Sequence, residues 1–271
     1  MDATQPNEVL DRASYELEVE ATFEGTELDS SIWMPVHLPQ WSSRSAAAAR
    51  HELSEGTLRL RIDSDQRPWC PEFDGWLRVS SLQTGVFAGP VGSGIGQHRF
   101  TDGLVVREAQ ENVALCTPLY GLFEVRAKAV DDPANMVAFW MIGYEDQPER
   151  SGEILIMEIF GRDVSPTSAA IGMGVRPHQD PAIADAFSQE RLDIDVREFH
   201  EYAAEWTPDR VAFYIDGRLV KVVNQSIDYP MQFMLGIYEF ADGPEAPSAP
   251  ERYPKEFVVD WFRSYLPTAN T

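Results

Sequence analysis

From residue 15 onward the chain is a succession of short apolar runs separated by turn signals. "TLRLRID" (57–63) alternates with a period of two and sets Leu58, Leu60 and Ile62 on one face, as a half-buried strand does. "YGLFEVRAKAV" (120–130) alternates as well, with Leu122, Glu124, Arg126 and Lys128 opposite Phe123, Val125, Ala127 and Ala129. "MVAFWMIGY" (136–144) and "EILIMEIF" (153–160) are unbroken apolar runs of strand length, the kind a two-layer core contains. "RVAFYIDGRLVKVV" (210–223) reads as a hairpin around Asp216-Gly217. "MQFMLGIYEF" (231–240) and "KEFVVDWFRSY" (255–265) add two more strands, and 182–192 is the one segment that could be a short helix or a loop.

So many strands with so little helical periodicity predict an all-β sandwich of two antiparallel sheets. Residues 16–271 read as a single domain, preceded by a loose polar arm over 1–15. Two long loops, 84–103 and 241–254, stand where binding elements often lie. Gly89, Gly92, Gly94 and Gly96 resemble a phosphate loop only superficially, because no strand-to-helix unit surrounds them; a mobile surface loop is the expectation.

Composition narrows the function. The chain has 271 residues, 44% of them hydrophobic, and a net charge of −22. That acidity, with no run of Lys and Arg, argues against nucleic acid and anionic membranes as partners. No apolar stretch reaches the length of a membrane helix. The first 23 residues lack a basic start and an apolar run, which reads as a cytoplasmic protein, or as a secreted one whose leader precedes Met1. Cys70 and Cys116 would allow one disulfide but match no zinc spacing, and two buried thiols are expected.

The chemistry centres on "SGEILIMEIFG" (151–161), where Glu153 and Glu158 interrupt an apolar run. They are five apart, so a regular strand would send them to opposite faces. A one-residue bulge between them would bring both to one side. Paired carboxylates flanking a bond are the apparatus of glycoside hydrolysis, at about 5–5.5 Å for a retaining enzyme.

The stretch resembles the active-site strand of glycoside hydrolase family 16, the laminarinase and lichenase family. Similar pieces follow in the family's order: "FEGTELDSSIW" (23–33), "YGLFEVRAKA" (120–129), "AFWMIG" (138–143), "FHEYAAEWTPDRVAFYIDG" (199–217) and "VVDWFRSY" (258–265). The resemblance implies a concanavalin-like β-jelly roll with a glycan cleft, Glu153 as nucleophile and Glu158 as acid/base. It implies a retaining, endo-acting hydrolase of a β-linked polysaccharide such as a β-1,3-glucan, working as a monomer without a cofactor. Leu155 stands where the family carries Asp between the glutamates, and Met136-Val137 and Ser151 replace two further family positions. Leucine holds no charge beside Glu153 and desolvates it, which pushes carboxyl pKa values up. The departure therefore leaves open a slower enzyme with a shifted pH optimum, a supporting group from another strand, a hydrolase of a non-glucan glycan, or a carbohydrate-binding protein with little turnover.

Sugar rings stack on flat side chains, so Trp140, Tyr238, Trp69 and Trp76 are candidate platforms, and His178 is a candidate cleft histidine. Trp206 and His200 read as packing and hydrogen-bonding residues. By the resemblance a structural calcium would use Asp260, but its first-strand partner position is Thr22, so a weak site or none is expected.

Overall fold

A computed structural model describes residues 9–243 and 247–268. In chain order the strands are β1 (Tyr15–Ala21), β2 (Arg50–Ser54), β3 (Thr57–Ile62), β4 (Arg78–Gln83), β5 (Gly85–Val86), β6 (Val113–Ala114), β7 (Gly121–Lys128) and β8 (Asn135–Gly143). They continue as β9 (Glu153–Phe160), β10 (Ala169–Arg176), β11 (Ser188–Leu192), β12 (His200–Trp206), β13 (Val211–Ile215), β14 (Arg218–Val223), β15 (Met231–Glu239) and β16 (Lys255–Pro267). One antiparallel sheet runs β14-β13-β12-β7-β16-β3-β2, with β1 added on β16. The other, also antiparallel, runs β11-β10-β9-β8-β15-β4. The chain crosses between the sheets at β3–β4, between β4 and β7, and at β7–β8, β11–β12, β14–β15 and β15–β16, giving the jelly-roll sandwich.

Alternation builds the core between the sheets. Leu58, Leu60 and Ile62 of β3 and Phe123, Val125 and Ala127 of β7 meet Val137, Phe139 and Met141 of β8 and Phe233, Leu235 and Ile237 of β15. Phe233 sits at the centre, edge-on to Phe123 at 5.1 Å and to Phe262 at 5.0 Å. Each of the larger side chains contributes about 1.5–3 kcal/mol by leaving water.

The opposite face of β7 is covered too. Leu10 packs with Leu122, and Arg12 pairs with the fully buried Glu124 at 2.6 Å. Of the arm expected over 1–15, residues 1–8 lie outside the described residues, and 9–15 are seated on the larger sheet.

The outer face of the six-stranded sheet carries a second apolar cluster. Long connections lie on it, bringing Leu38, Trp41, Trp69, Leu104 and Val106 onto Ala138, Trp140, Leu155 and Tyr238. Loop 84–103 is part of this cover rather than a free surface loop. Val91 and Ile95 are exposed, but Gln97 is fully buried. Its carbonyl accepts from the Trp41 indole at 2.8 Å and the Gln40 amide at 3.1 Å, and its side chain accepts from the Phe87 N–H at 2.8 Å. Cys70 and Cys116 are separate buried thiols.

Segment 182–192 is not a helix: 188–192 forms the edge strand β11. The edge of β10 was free to pair, and Lys221 fixes the approach by donating to Ala186 O at 2.7 Å and Met173 O at 2.9 Å. The segment lies over Gly174, whose φ is +145° and whose missing Cβ would stand 2.4 Å from the Ala186 oxygen. Gly217, in the hairpin turn, has φ +71° with open space around it. Gly217→Ala should cost about 1–2 kcal/mol for left-handed backbone. Gly174→Ala should cost about 1–3 kcal/mol more, because a backbone carbonyl must move as well. Urea unfolding of the two variants measures the difference; equal losses would contradict the close approach.

Candidate active site

The bulge is present, at Ile156. Along β8, Phe139 pairs with Met157 and Trp140 with Leu155; along β10, Gly172 pairs with Glu158 and Gly174 with Leu155. Ile156 has no partner on either side, and both Ile156 and Met157 point into the core. Glu153, Leu155 and Glu158 therefore share the outer face and line one cleft of about 260 Å³. Glu158 stands between Ala138 and Gly172, and Leu155 between Trp140 and Gly174. Glu158 thus has small neighbours on both sides, whereas Glu153 stands between Ile142 and Arg176.

The covering segments supply the walls. His37, Trp69, Asp74, His98 and Phe100 all face the cleft, as does Arg176 on β10, which pairs in register with Glu153. Trp69 donates its indole N–H to Asp74 at 2.8 Å, and Trp140 donates to the Tyr238 hydroxyl at 3.2 Å. His98 Nδ1 lies 3.2 Å from Glu153 Oε1, and His178 Nδ1 lies 3.9 Å from the same oxygen.

These surroundings drive the two glutamates apart. Burial alone would raise the Glu153 carboxyl, but the side-chain contact and charge of His98, helped by His178 and Arg176, hold it below its ordinary value. Burial raises Glu158, and the charge of Glu153 adds to the rise, against a partial offset from Arg176 and Arg162. One carboxyl is held ionised and the other is biased towards its acid form, the division that acid–nucleophile chemistry needs.

A family model for glycosyl hydrolases family 16 matches residues 116–261, more than half of the chain. The chain belongs to glycosyl hydrolases family 16. A β-glucanase from Rhodothermus marinus is 26% identical over 166 residues, which cover 54% of this chain and 57% of that protein. A GlcNAcα1-4Gal-releasing endo-β-galactosidase from Clostridium perfringens is 30% identical with a TM-score of 0.82, over 96% of this chain and 65% of that one. This chain thus spans less than two thirds of either relative's length. A laminarinase from Flavobacterium sp. shares the fold at 19% identity and a TM-score of 0.61, over 93% of this chain and 100% of that one.

Within this family 16 chain, the cleft gathers Glu153, Glu158, Trp140, Tyr238 and Trp69. His178 joins through Glu153. Trp76 is 41% exposed and is not among the residues that line the cleft. Trp69, at 1% exposure, and Trp140, at 8%, are walls rather than open platforms. Phe240, 44% exposed on the rim, offers a freer ring and was not singled out from the sequence. His98, Asp74, His37 and Arg176 were also missed. His200 and Trp206 have packing roles: His200 contacts Asp216 at 2.7 Å, and the buried Trp206 donates to Ser226 at 3.0 Å.

Asp260 is paired with Arg126, which puts a fixed cation where calcium would have to bind. Calcium takes about six to eight oxygen ligands, and this donor set does not fit it. His98, Glu153 and His178 bring potential ligand atoms within 4.8 Å of one another. A cation there would have to displace the proton that the surrounding carboxylates favour on His98, and would occupy Glu153 itself.

Leu155 is 4% exposed between the two glutamates. In Leu155→Asp a third carboxyl would be buried there, with a folded pKa raised above the unfolded value of about 3.9. The folded state then holds the proton more tightly, so stability is lost as pH rises, in all by about 1.4 kcal/mol for every tenfold by which folding tightens proton binding. The melting-temperature deficit against wild type should be small at pH 4 and large at pH 7.5, while Leu155→Asn should show the same deficit at both. Thermal denaturation at the two pH values checks this.

Proposed function

We propose that this chain is a retaining glycoside hydrolase that cuts within a β-linked glycan, with Glu153 as nucleophile and Glu158 as acid and then base. The observation that carries the reading is the bulge at Ile156, which turns both carboxyls towards one cleft. In the first step Glu158 protonates the glycosidic oxygen as its bond to the anomeric carbon breaks. Glu153 attacks that carbon and forms a glycosyl ester. In the second, Glu158, now ionised, takes a proton from water as the water displaces Glu153. Leu155 keeps a third charge away from Glu158 and shields the space between the two groups from water.

A β-galactosyl residue at the cleavage point is the substrate class best supported. The endo-β-galactosidase is 30% identical over 96% of this chain. The β-1,3-glucan expected from the sequence rests on a β-glucanase aligned over 54% of it and is the second reading. Asp74 and His37 on the wall beside Trp69 supply polar groups that could read ring hydroxyls.

Product assays on β-linked galactans, β-1,3-glucan and β-1,3-1,4-glucan separate the two readings. On the active glycan, Glu158→Ala should slow hydrolysis roughly 10²–10⁴-fold. With an aryl β-glycoside of that glycan and added azide, it should give the β-glycosyl azide from the trapped intermediate. Glu153→Ala with azide should give the α-azide, because the small anion enters from the vacated side. Binding without turnover on any glycan would point to a carbohydrate-binding protein instead.

A further inference from the structure

We propose that His98 is a positioning residue for the nucleophile: from a loop outside the catalytic strand it supplies the cationic partner that Leu155 cannot. The inference rests on Glu153 acting as the nucleophile. A carboxyl buried beside Leu155 and Trp140 with no partner would take up a proton and lose its power to attack.

The loop is built to hold this ring in place. Gln97, one residue before, is pinned by Trp41, Gln40 and Phe87. His98 itself takes φ +52°, a conformation that non-glycine residues adopt at a cost, which its contacts must offset. Its backbone N–H donates to Glu145 at 2.5 Å. Its ring meets Trp140 edge-on at 5.1 Å and stacks on His178 at 4.8 Å. The two histidine loops are joined in turn. Gln179 donates its side chain to Arg99 O at 3.1 Å, and its backbone N–H to Ser151 Oγ at 2.9 Å. These contacts hold the His98 backbone and place its ring between Trp140 and His178, against Glu153.

The charges around the pair come from every neighbouring segment: Glu158 on β9, Arg176 on β10, Glu145 after β8, Asp74 from the turn at 71–74, and Arg99 next to His98. Of the three imidazoles, burial drives His37 down to about 3 and His178 down to about 4, the charge of His98 adding to both. His98 is the exception. Burial pulls it down, but Glu153, Glu145 and Asp74 raise it above its ordinary value. Of the three rings, His98 is therefore the one whose surroundings favour the protonated form, and it is the ring nearer Glu153.

The test is the pH profile of kcat/KM for wild type, His98→Asn and His98→Phe. Asparagine keeps a donor without the charge, and phenylalanine keeps the ring without the donor. Loss of the cation should move the acidic limb upward by about 1–3 pH units, with KM changed less than kcat. A residue that only packed would lower activity at all pH values and leave the limb in place, and an unmoved limb in both variants overturns the proposal. A second measurement needs no catalysis: the imidazole titrations followed by NMR in wild type and in Glu153→Gln. The His98 midpoint should fall by about 1–3 pH units in Glu153→Gln; an unchanged midpoint overturns the pairing. If the wild type turns over no glycan, the hydrolase reading falls, and the NMR comparison alone still decides the pairing.

Discussion

The cleft depends on the parity of one strand. Side chains of a pleated strand alternate strictly, and five positions separate Glu153 from Glu158. Without the extra residue at Ile156, one glutamate would be driven among Phe139, Phe233 and Ile171, where an unpaired carboxylate is untenable. The bulge removes that conflict by turning Ile156 and Met157 inward together. Core and cleft are thereby satisfied by the same local irregularity, and neither the hydrophobic pattern nor the chemistry has to yield.

The electrostatics follow from that placement. Two carboxyls in one partly dry cleft raise one another unless something distinguishes them. Here the distinction comes from outside β9. Glu153 is the more buried but has His98 and Arg176 beside it, whereas Glu158 lies between Ala138 and Gly172 and has less to offset its burial. Leu155 leaves the gap between them uncharged. Removing a carboxylate from the strand and adding an imidazole from a loop alter the same balance, which is why the loop must be anchored as firmly as Gln97 anchors it.

Period-two patterning in 57–63, 120–130 and 210–223 was enough to read the sandwich, because core burial enforces it residue by residue. The same alternation showed that Glu153 and Glu158 could share a face only through a bulge, and the family resemblance was what favoured their sharing one. What could not be read were contacts made by segments without a period. His98 closes a glycine-rich stretch that has the composition of a surface loop. Its burial comes from Trp41 and Gln40, more than fifty residues earlier in the chain. Trp76 has the same tryptophan signal as Trp69, yet only Trp69 turns under the turn at 71–74 to meet Asp74. Segment 182–192 could be read as a short helix or a loop, and the free edge of β10 took part of it as a strand.

The most direct test of the central claim is the configuration of the sugar first released, followed by proton NMR before mutarotation. If Glu153 attacks the anomeric carbon while Glu158 gives its proton to the leaving oxygen, the reaction is a double displacement and the β-anomer should appear first. An initial α-anomer would mean that water attacks in a single step and that Glu153 does not serve as the nucleophile.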